Sequence, residues 1–372
     1  MLPLFLGSEI YRASSYGAWH PLRVPRVSTV MDLSRALGWL PTNQFRRSPR
    51  AKPSALEAWH TRDYVAALAE AEMTGAVSEA VRERHGLGTV MNPIFAEMYR
   101  RPATGAGASL LAGELLRDGG TIHHPGGGTH HGLPDRASGF CYLNDCVLSI
   151  LSLRRNGVQR VAYVDLDAHH PDGVELAFGQ DPDVLMISVH EADRWPRTGR
   201  LEDDGAGALF NLPVAAGMGD DEMVLIRDAL ILPALEQFRP DAIILQMGAD
   251  TLAGDPQSRQ LCSQEAYLGV LRQAKHVAPR LLVLGGGGYN PWTVGRLWTA
   301  IWGVLNGHEL PGRLSKEAEQ VLRDILWDSP RARTAPVYWF TSLVDPPAPG
   351  QIRDQTRRDV TRLAERLTDI GR

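Results

Sequence analysis

The sequence predicts an α/β protein built on a parallel β-sheet covered by helices on both faces. Three observations predict it. Short aliphatic runs end in polar or glycine-rich residues: "RVAYVDLDAHH" (160–170), "VLMISVH" (184–190), "AIILQMGAD" (242–250) and "LLVLGGGGYN" (281–290). Helical patterns separate them, and strands alternating with helices imply βαβ units. The runs are apolar almost throughout, as expected of strands buried on both faces.

Taken in chain order, "MLPLFLGSEI" reads as a first strand. The Pro-rich segments 41–56 and 328–350 read as surface connections. "DDEMVLIRDALILPALEQF" (220–238) follows Gly219 and carries acids in its first turn, a helix start. "SQEAYLGVLRQAKHVA" (263–278) opens on a Ser N-cap. "NPWTVGRLWTAIWGVLNG" (290–307) has Asn at the N-cap, Pro at N1 and Gly just past its end. The tail 351–370 reads as a surface helix laced with Arg and Asp. No repeat and no domain boundary is visible, so residues 1–372 read as one domain.

Composition narrows the function. The chain has 372 residues, 44% hydrophobic and 22% charged, with a formal net charge of −4. Of its 39 basic residues only Lys52, Lys275 and Lys316 are lysines, and no basic run forms a nucleic-acid footprint. Three cysteines, with no CxxC pair, argue against a disulfide framework and against cysteine-held zinc. No apolar run approaches 18 residues and the first ten residues carry no charged leader pattern, so neither a membrane span nor a signal peptide is expected. These points predict a cytoplasmic protein with no nucleic-acid or membrane partner. They leave the oligomeric state open.

The polar clusters fall at strand ends, where open parallel sheets bind ligands. Six of the twelve histidines lie between 123 and 170: His123, His124, His130, His131, His169 and His170. In "DLDAHH" the alternation of a strand turns Asp165, Asp167 and His169 to one side. A carboxylate and an imidazole two residues apart suit one cation, with Asp250 of "AIILQMGAD" the natural third ligand. Three ligands of N/O type leave a position open for water, the arrangement of catalytic zinc. Acids that merely cap helices are the alternative. The adjacent His130 and His131 need an acceptor on the far nitrogen of each ring, and Asp165 and Asp172 are the nearest spare carboxylates. Two His–Asp pairs beside a Lewis acid are hydrolytic machinery. "GGGGYN" delivers Tyr289 as a donor to a developing oxyanion, and with no GK[ST] after it a phosphate-cradling loop is disfavoured.

At these residues the sequence resembles a family. "GGGTHHGLPDRASGFCYLND", "YVDLDAHHPDGVELAF", "QMGADTLAGDP" and "LGGGGYN" are similar to the signature blocks of class I-type zinc-dependent histone deacetylases, including the bacterial acetoin-utilization deacetylases and deacetylase-like amidohydrolases. "HPLRVPR" (20–26) and "HTRDY" (60–64) resemble two further blocks. The resemblance implies the arginase/deacetylase fold, with about eight parallel strands, a catalytic core over about 4–310 and a helical extension over 311–372. It implies Zn²⁺, or Fe²⁺ in the cell, on Asp167, His169 and Asp250. His131 would be general base and acid with Asp172 behind it, His130 the second histidine backed by Asp165, and Tyr289 the group that polarises the carbonyl. Gly139 and Phe140 would form one wall of an acyl-lysine tunnel and Trp195 the other. Arg26, Gly127 and Gly128 would line an inner channel. A structural K⁺ or Na⁺ would sit on Asp165, Asp167, His169, Ser188 and Val189, and a second around Phe178, Asp181 and Val184.

Three residues depart from the family pattern. Pro171 stands between His170 and Asp172, Thr129 replaces a larger residue before the His pair, and Met91 stands where a rim carboxylate commonly grips substrate amides. The implied activity is removal of an acetyl or other acyl group from an acyl-lysine protein or peptide, or from a small N-acyl amine such as an acetylpolyamine. Two other classes stay open: a dinuclear ureohydrolase-like enzyme, and an inactive acyl-lysine binding module.

Overall fold

A computed structural model describes residues 1–370; the last two residues of the C-terminal extension lie outside the described residues. Eight strands form one sheet: β1 (Leu4–Gly7), β2 (Phe45–Arg47), β3 (Gly120–His124), β4 (Val161–Asp165), β5 (Val184–Glu191), β6 (Leu209–Val214), β7 (Ala242–Gln246) and β8 (Arg280–Leu284). All pairings are parallel, in the order β2-β1-β3-β8-β7-β4-β5-β6. The register brings the strand ends level: Asp165 pairs with Ser188 and Gln246, and Gln246 with Leu284.

Both faces of the sheet are buried. Ala162 and Val164 face one core with Ile243, Leu245 and Val283, under Leu297, Trp298 and Ile301 of the helix Pro291–Leu305. Val161 and Tyr163 face the other with Ile122, Ile244 and Leu282, under the helices Arg100–Leu115 and Asp145–Arg155. The helix starts are held as their residue types require. Ser263 accepts from Glu265 N at 3.2 Å, and the Asn290 side chain accepts from Trp292 N at 3.1 Å and Thr293 N at 3.4 Å. The 220–238 segment is continuous helix but loosens into a π turn over Arg227–Ile231, just before Pro233, whose ring cannot complete the regular ladder.

Two segments differ from the sequence reading. The 41–56 connection contains edge strand β2 and the short helix Pro53–Leu56, and 328–350 buries Trp339 and Leu343 against Trp292 and Leu322. The tail helix Asp354–Glu365 sends Val360 and Leu363 into the main core. Among the described residues no helix is long and apolar enough to cross a membrane.

Candidate active site

β4 ends at Asp165, so strand alternation does not carry through to residue 169. Instead Asp165 Oδ1 accepts from Asp167 N at 3.0 Å and Asp167 Oδ1 from His169 N at 3.1 Å, two successive turns closed by aspartate side chains. Asp165 thereby turns toward the His pair, while Asp167 and His169 turn toward Asp250 beyond the end of β7.

His169 Nδ1 lies 3.1 Å from Asp167 Oδ1 and 3.0 Å from Asp250 Oδ2. One ligand atom from each of the three residues falls within 4.8 Å of the others. The carboxylates are held from behind: Asp167 Oδ2 accepts from Gln246 Nε2 at 2.8 Å and Gly287 N at 2.7 Å, and Asp250 Oδ1 from Ala168 N at 3.0 Å. Glycine is required around them. A Cβ on Gly248 would sit 2.2 Å from Asp167 Oδ2, and one on Gly287 2.2 Å from Asp250 Oδ2. Burial opposes a charge on His169, but the two carboxylates outweigh it and push the imidazole up to about 10. Burial and the charge of Asp167 together push the Asp250 carboxyl up. Two buried carboxylates with one imidazole form a site short of positive charge, and this N/O donor set fits a divalent cation of the Zn²⁺ or Fe²⁺ kind.

The His pair lies beside it, rings 4.0 Å apart. His130 Nδ1 is 2.9 Å from Asp165 Oδ2, and His131 Nδ1 is 2.6 Å from Asp172 Oδ1. Their environments push them apart. Burial lowers both, but Asp165 and Asp167 lift His130 to about 9, while burial and the neighbouring charge of His130 bring His131 down to about 4. The pair is thus pushed in opposite directions, His130 toward its cationic form and His131 toward a neutral ring with a free lone pair. Tyr163 Oη also donates to Asp165, at 2.5 Å. The loop carrying the pair is pinned by two residues overlooked in "YLND". Asn144 Nδ2 donates to the carbonyls of His130 (3.1 Å) and Gly132 (3.0 Å), and the Asp145 carboxylate accepts from Gly128 N (3.1 Å), Thr129 N (2.7 Å) and Ser109 Oγ (2.7 Å).

Tyr289 completes a narrow cavity of about 40 Å³, lined also by Arg26, Gly128, His130, His131, Gly139, Phe140, Asp167 and His169. Burial and the charges of Asp250 and Asp167 keep its phenol protonated, so it can donate. Asp255, also overlooked, holds the Tyr289 backbone: its Oδ2 accepts from Tyr289 N at 2.7 Å and Asn290 N at 3.3 Å. Phe140 packs edge-on to Tyr289, ring centroids 5.8 Å apart, and Asn92 Oδ1 fixes it through Phe140 N at 3.1 Å. Trp195 lies 4.6 Å from the His131 ring, against Gly139, where any Cβ would strike its indole at 2.3 Å.

The remaining predicted residues fall as follows. Arg26 is half-buried, donates to Gly286 O at 2.6 Å, and desolvation lowers its pKa. Gly127 packs against Asp145 and His124. Ser188 Oγ is 2.8 Å from His190 Nδ1, and Val189 follows it on β5. Asp181 gives its carboxylate to Arg154 (2.5 and 3.0 Å), and the carbonyls of Phe178 and Asp181 accept from Asp181 N and Val184 N, so that turn is closed by its own bonds. Met91 is half-exposed, its carbonyl 3.2 Å from His20 Nε2. Three of the six clustered histidines stand outside the cavity lining. His123 and His124 are buried on β3, and His170 bridges Thr198 and Glu175 at 2.9 Å each.

Comparison with known proteins places this geometry in a class. Residues 20–305 match the family model described as a histone deacetylase domain. The chain is 33% identical over 326 residues to acetoin utilization protein AcuC of Bacillus subtilis (strain 168), covering 83% of this chain and 84% of that one. It is 35% identical over 302 residues to histone deacetylase 8 of Xenopus tropicalis, covering 78% and 81%. A crystal structure of an HDAC homolog from Aquifex aeolicus superimposes with a TM-score of 0.93 at 31% identity over 98% of this chain and 100% of that one; an HDAC homolog complexed with SAHA gives 0.91. The chain therefore belongs to the histone deacetylase family, has the arginase/deacetylase α/β fold, and is a hydrolase of the deacetylase type.

Proposed function

We propose that the protein is a metal-dependent amidohydrolase that removes an acetyl or other acyl group from an acyl-lysine or a related N-acyl amine. One observation carries this reading: His130 and His131, each with a carboxylate behind its Nδ1, and a buried phenol line one narrow cavity with Asp167 and His169, next to Asp250. Zn²⁺, or Fe²⁺ in the cell, bound by Asp167, His169 and Asp250 would supply Lewis-acid polarisation of the carbonyl and acidify a water. His131, neutral and oriented by Asp172, accepts the water proton at Nε2 and returns it to the leaving amine. His130, held cationic by Asp165, stabilises negative charge. Tyr289 donates to the developing oxyanion, and Gly139, Phe140 and Trp195 exclude water from the acyl-amine stem. Arg26, Gly127 and Gly128 line the way for the carboxylate product. A K⁺ or Na⁺ on Asp165, Asp167, His169, Ser188 and Val189 would brace the loop behind the site. Action on cytoplasmic acyl-amines fits the composition.

A dinuclear ureohydrolase is disfavoured, because Asp167, His169 and Asp250 are the one group with metal-ligand spacing among the described residues. The retained His131 and Tyr289 likewise disfavour a binding module without catalysis.

The rim bears on substrate. Met91 offers no carboxylate to peptide amides, whereas a charged acceptor there would be worth about 1.5–3 kcal/mol per bond, less when exposed. Flanking sequence should therefore matter little, with small acyl-amines handled about as well as peptides. Met91→Asp should raise kcat/KM for acetyl-lysine peptides and leave isolated acetyl-lysine unchanged; selective loss of peptide activity in Glu97→Ala, with no effect of Met91→Asp, would reassign the rim acceptor. The decisive experiment is amide hydrolysis by the purified protein on acetyl-lysine peptides, acetylpolyamines and longer acyl-lysines, before and after chelation. Chelation should abolish turnover, Zn²⁺ should restore it, and Asp250→Ala should lose metal while staying folded. Full activity in a sample shown metal-free by elemental analysis overturns the reading.

A further inference from the structure

A groove of about 460 Å³ lies on the Trp195 side of the active site, past the carboxyl ends of β5 and β6. It reaches His169, which also lines the active-site cavity, and Trp195 forms one of its sides. The two spaces adjoin. A substrate with its acyl-amine end beside His131 and Tyr289, and its stem against Trp195, has its other end next to this groove. Crevices at this end of a parallel sheet are where ligands bind.

The floor of the groove is a closed network. Glu191, the last residue of β5, is 5% exposed. Its Oε1 accepts from Arg194 Nη2 at 2.7 Å, and its Oε2 from Ser258 Oγ at 3.1 Å and Arg259 N at 2.8 Å. Arg194 Nη1 donates to Gln257 O at 2.5 Å, and Arg259 O accepts from Gly217 N at 3.1 Å. These bonds tie the loops after β5, β6 and β7 together, and within them Glu191 and Arg194 neutralise each other. Asp193 and Arg259 are left. Both line the groove, both are exposed, and neither side chain has a hydrogen-bond or ion-pair partner among the described residues. They do not pair with each other because each is held. Arg259 is fixed through its backbone to Glu191 and Gly217, and Asp193 stands in the left-handed region at φ 59°, which aspartate tolerates better than most residues. One groove thus keeps a carboxylate and a guanidinium apart on a fixed frame beside the acyl-amine site.

We propose that this groove holds the head of a free α-amino acid whose side-chain amine carries the acyl group, with Asp193 taking the α-ammonium and Arg259 the α-carboxylate. The proposal rests on the deacetylase reading above and singles out one class among the small acyl-amines it allows. Only a free amino acid offers both charges on one carbon. Inside a peptide both groups are amides, and a polyamine brings no anion to Arg259. Acyl-lysine has the required shape, with its butyl stem along Trp195 and its head emerging at the groove.

Steady-state acetate release by the metal-loaded protein from four substrates tests this. They are Nε-acetyl-lysine; acetamidohexanoate, which lacks the ammonium; acetylcadaverine, which lacks the carboxylate; and pentylacetamide, which lacks both. Ion pairs at an open rim are worth little singly, so each charge removed should raise KM by about threefold, and both by about tenfold, with kcat nearly unchanged. In Asp193→Asn the preference for acetyl-lysine over acetamidohexanoate should vanish, and in Arg259→Gln its preference over acetylcadaverine. Asparagine also tolerates the left-handed backbone, so the first variant changes the charge and keeps the loop. A merely structural role would alter all four substrates alike. Equal KM for acetyl-lysine and pentylacetamide in the wild type, or either preference surviving its own variant, overturns the proposal. Hydrolysis of all four without preference sinks this assignment alone, whereas hydrolysis of none sinks the deacetylase reading beneath it.

Discussion

His130 and His131 are neighbours in the chain with pKa values pushed in opposite directions, and the difference comes from what stands behind each ring. Asp165 is wholly buried and already receives Tyr163 Oη, so its charge acts through little screening; Asp172 is partly open to solvent. In the proposed mechanism the proton acceptor and the cation are thus set by position and not by residue type. Tyr289 is the third participant proposed, and its contribution can be isolated. Tyr289→Phe keeps the packing on Phe140 and removes one preorganised donor, so kcat should fall by about 10²–10³ with metal retained. A variant within twofold of wild type in steady-state kinetics would show that the phenol only packs. Asp255→Ala should act on the same step from a distance. It orphans the buried N–H groups of Tyr289 and Asn290, at about 1–3 kcal/mol of stability, and lets Tyr289 drift. The expected signature is a fall in kcat with KM nearly unchanged, partly rescued in Asp255→Asn, whose amide oxygen can still accept from Tyr289 N. A rise in KM alone would assign Asp255 to substrate binding.

Among the elements, the turn after β8 does most to shape the site, because its glycines leave room for the ligands. A Cβ on Gly287 would lie 2.2 Å from Asp250 Oδ2 and 2.9 Å from Asp167 Oδ2, both fixed by backbone donors and unable to retreat. Gly287→Ala should therefore spread the ligands and weaken metal binding by about 10–100-fold, the usual effect of disturbing a ligand's support. Competition with a chromophoric chelator measures it, and unchanged affinity would mean the turn moves as a unit. How much was legible in the sequence follows from similar local causes. β4, β5, β7 and β8 announce themselves by aliphatic runs, and the helices after Ser263 and Asn290 by their caps. β2 does not, because three residues between prolines carry no periodicity, and β3 hides His123 and His124 inside a pattern that looks polar. Asp167, His169, Asp250 and the His pair were readable from spacing and resemblance. Their supports were not: Gln246, Asn144, Asp145 and Asp255 act across 12 to 79 residues of chain or through backbone groups, and only the fold brings those together.

At the scale of the whole molecule, a core covers each face of the sheet, and several titratable groups are sealed inside the protein in their neutral form. His60 is the clearest. It is 2% exposed, its Nδ1 donates to Leu133 O at 3.0 Å, and its Nε2 accepts from Asn144 N at 3.0 Å. The second bond fixes the tautomer, since a proton on Nε2 would face the Asn144 N–H. It also links the "HTRDY" segment to the residue whose side chain holds the His130 carbonyl. Burial is the main cause that brings the His60 pKa down to about 4, with the carbonyls of Leu133 and Pro134 resisting. His123, buried on β3, is brought down to about 3 for the same reason. A folded-state pKa below the unfolded one means that the unfolded chain takes up a proton the native state refuses. Stability is therefore full above the ordinary histidine pKa of about 6.5 and falls as pH drops toward 4, by an amount on the order of 3 kcal/mol for His60 alone. Urea unfolding near pH 7.5 and near pH 5 brackets this window while most carboxylates are still ionised. The wild-type midpoint should fall at the lower pH. In His60→Gln the amide can still donate to Leu133 O and accept from Asn144 N but cannot take a proton, so the fall should be smaller. An equal fall in both proteins would show that His60 titrates as it does in water, and that the link from residue 60 to Asn144 opens in the native state.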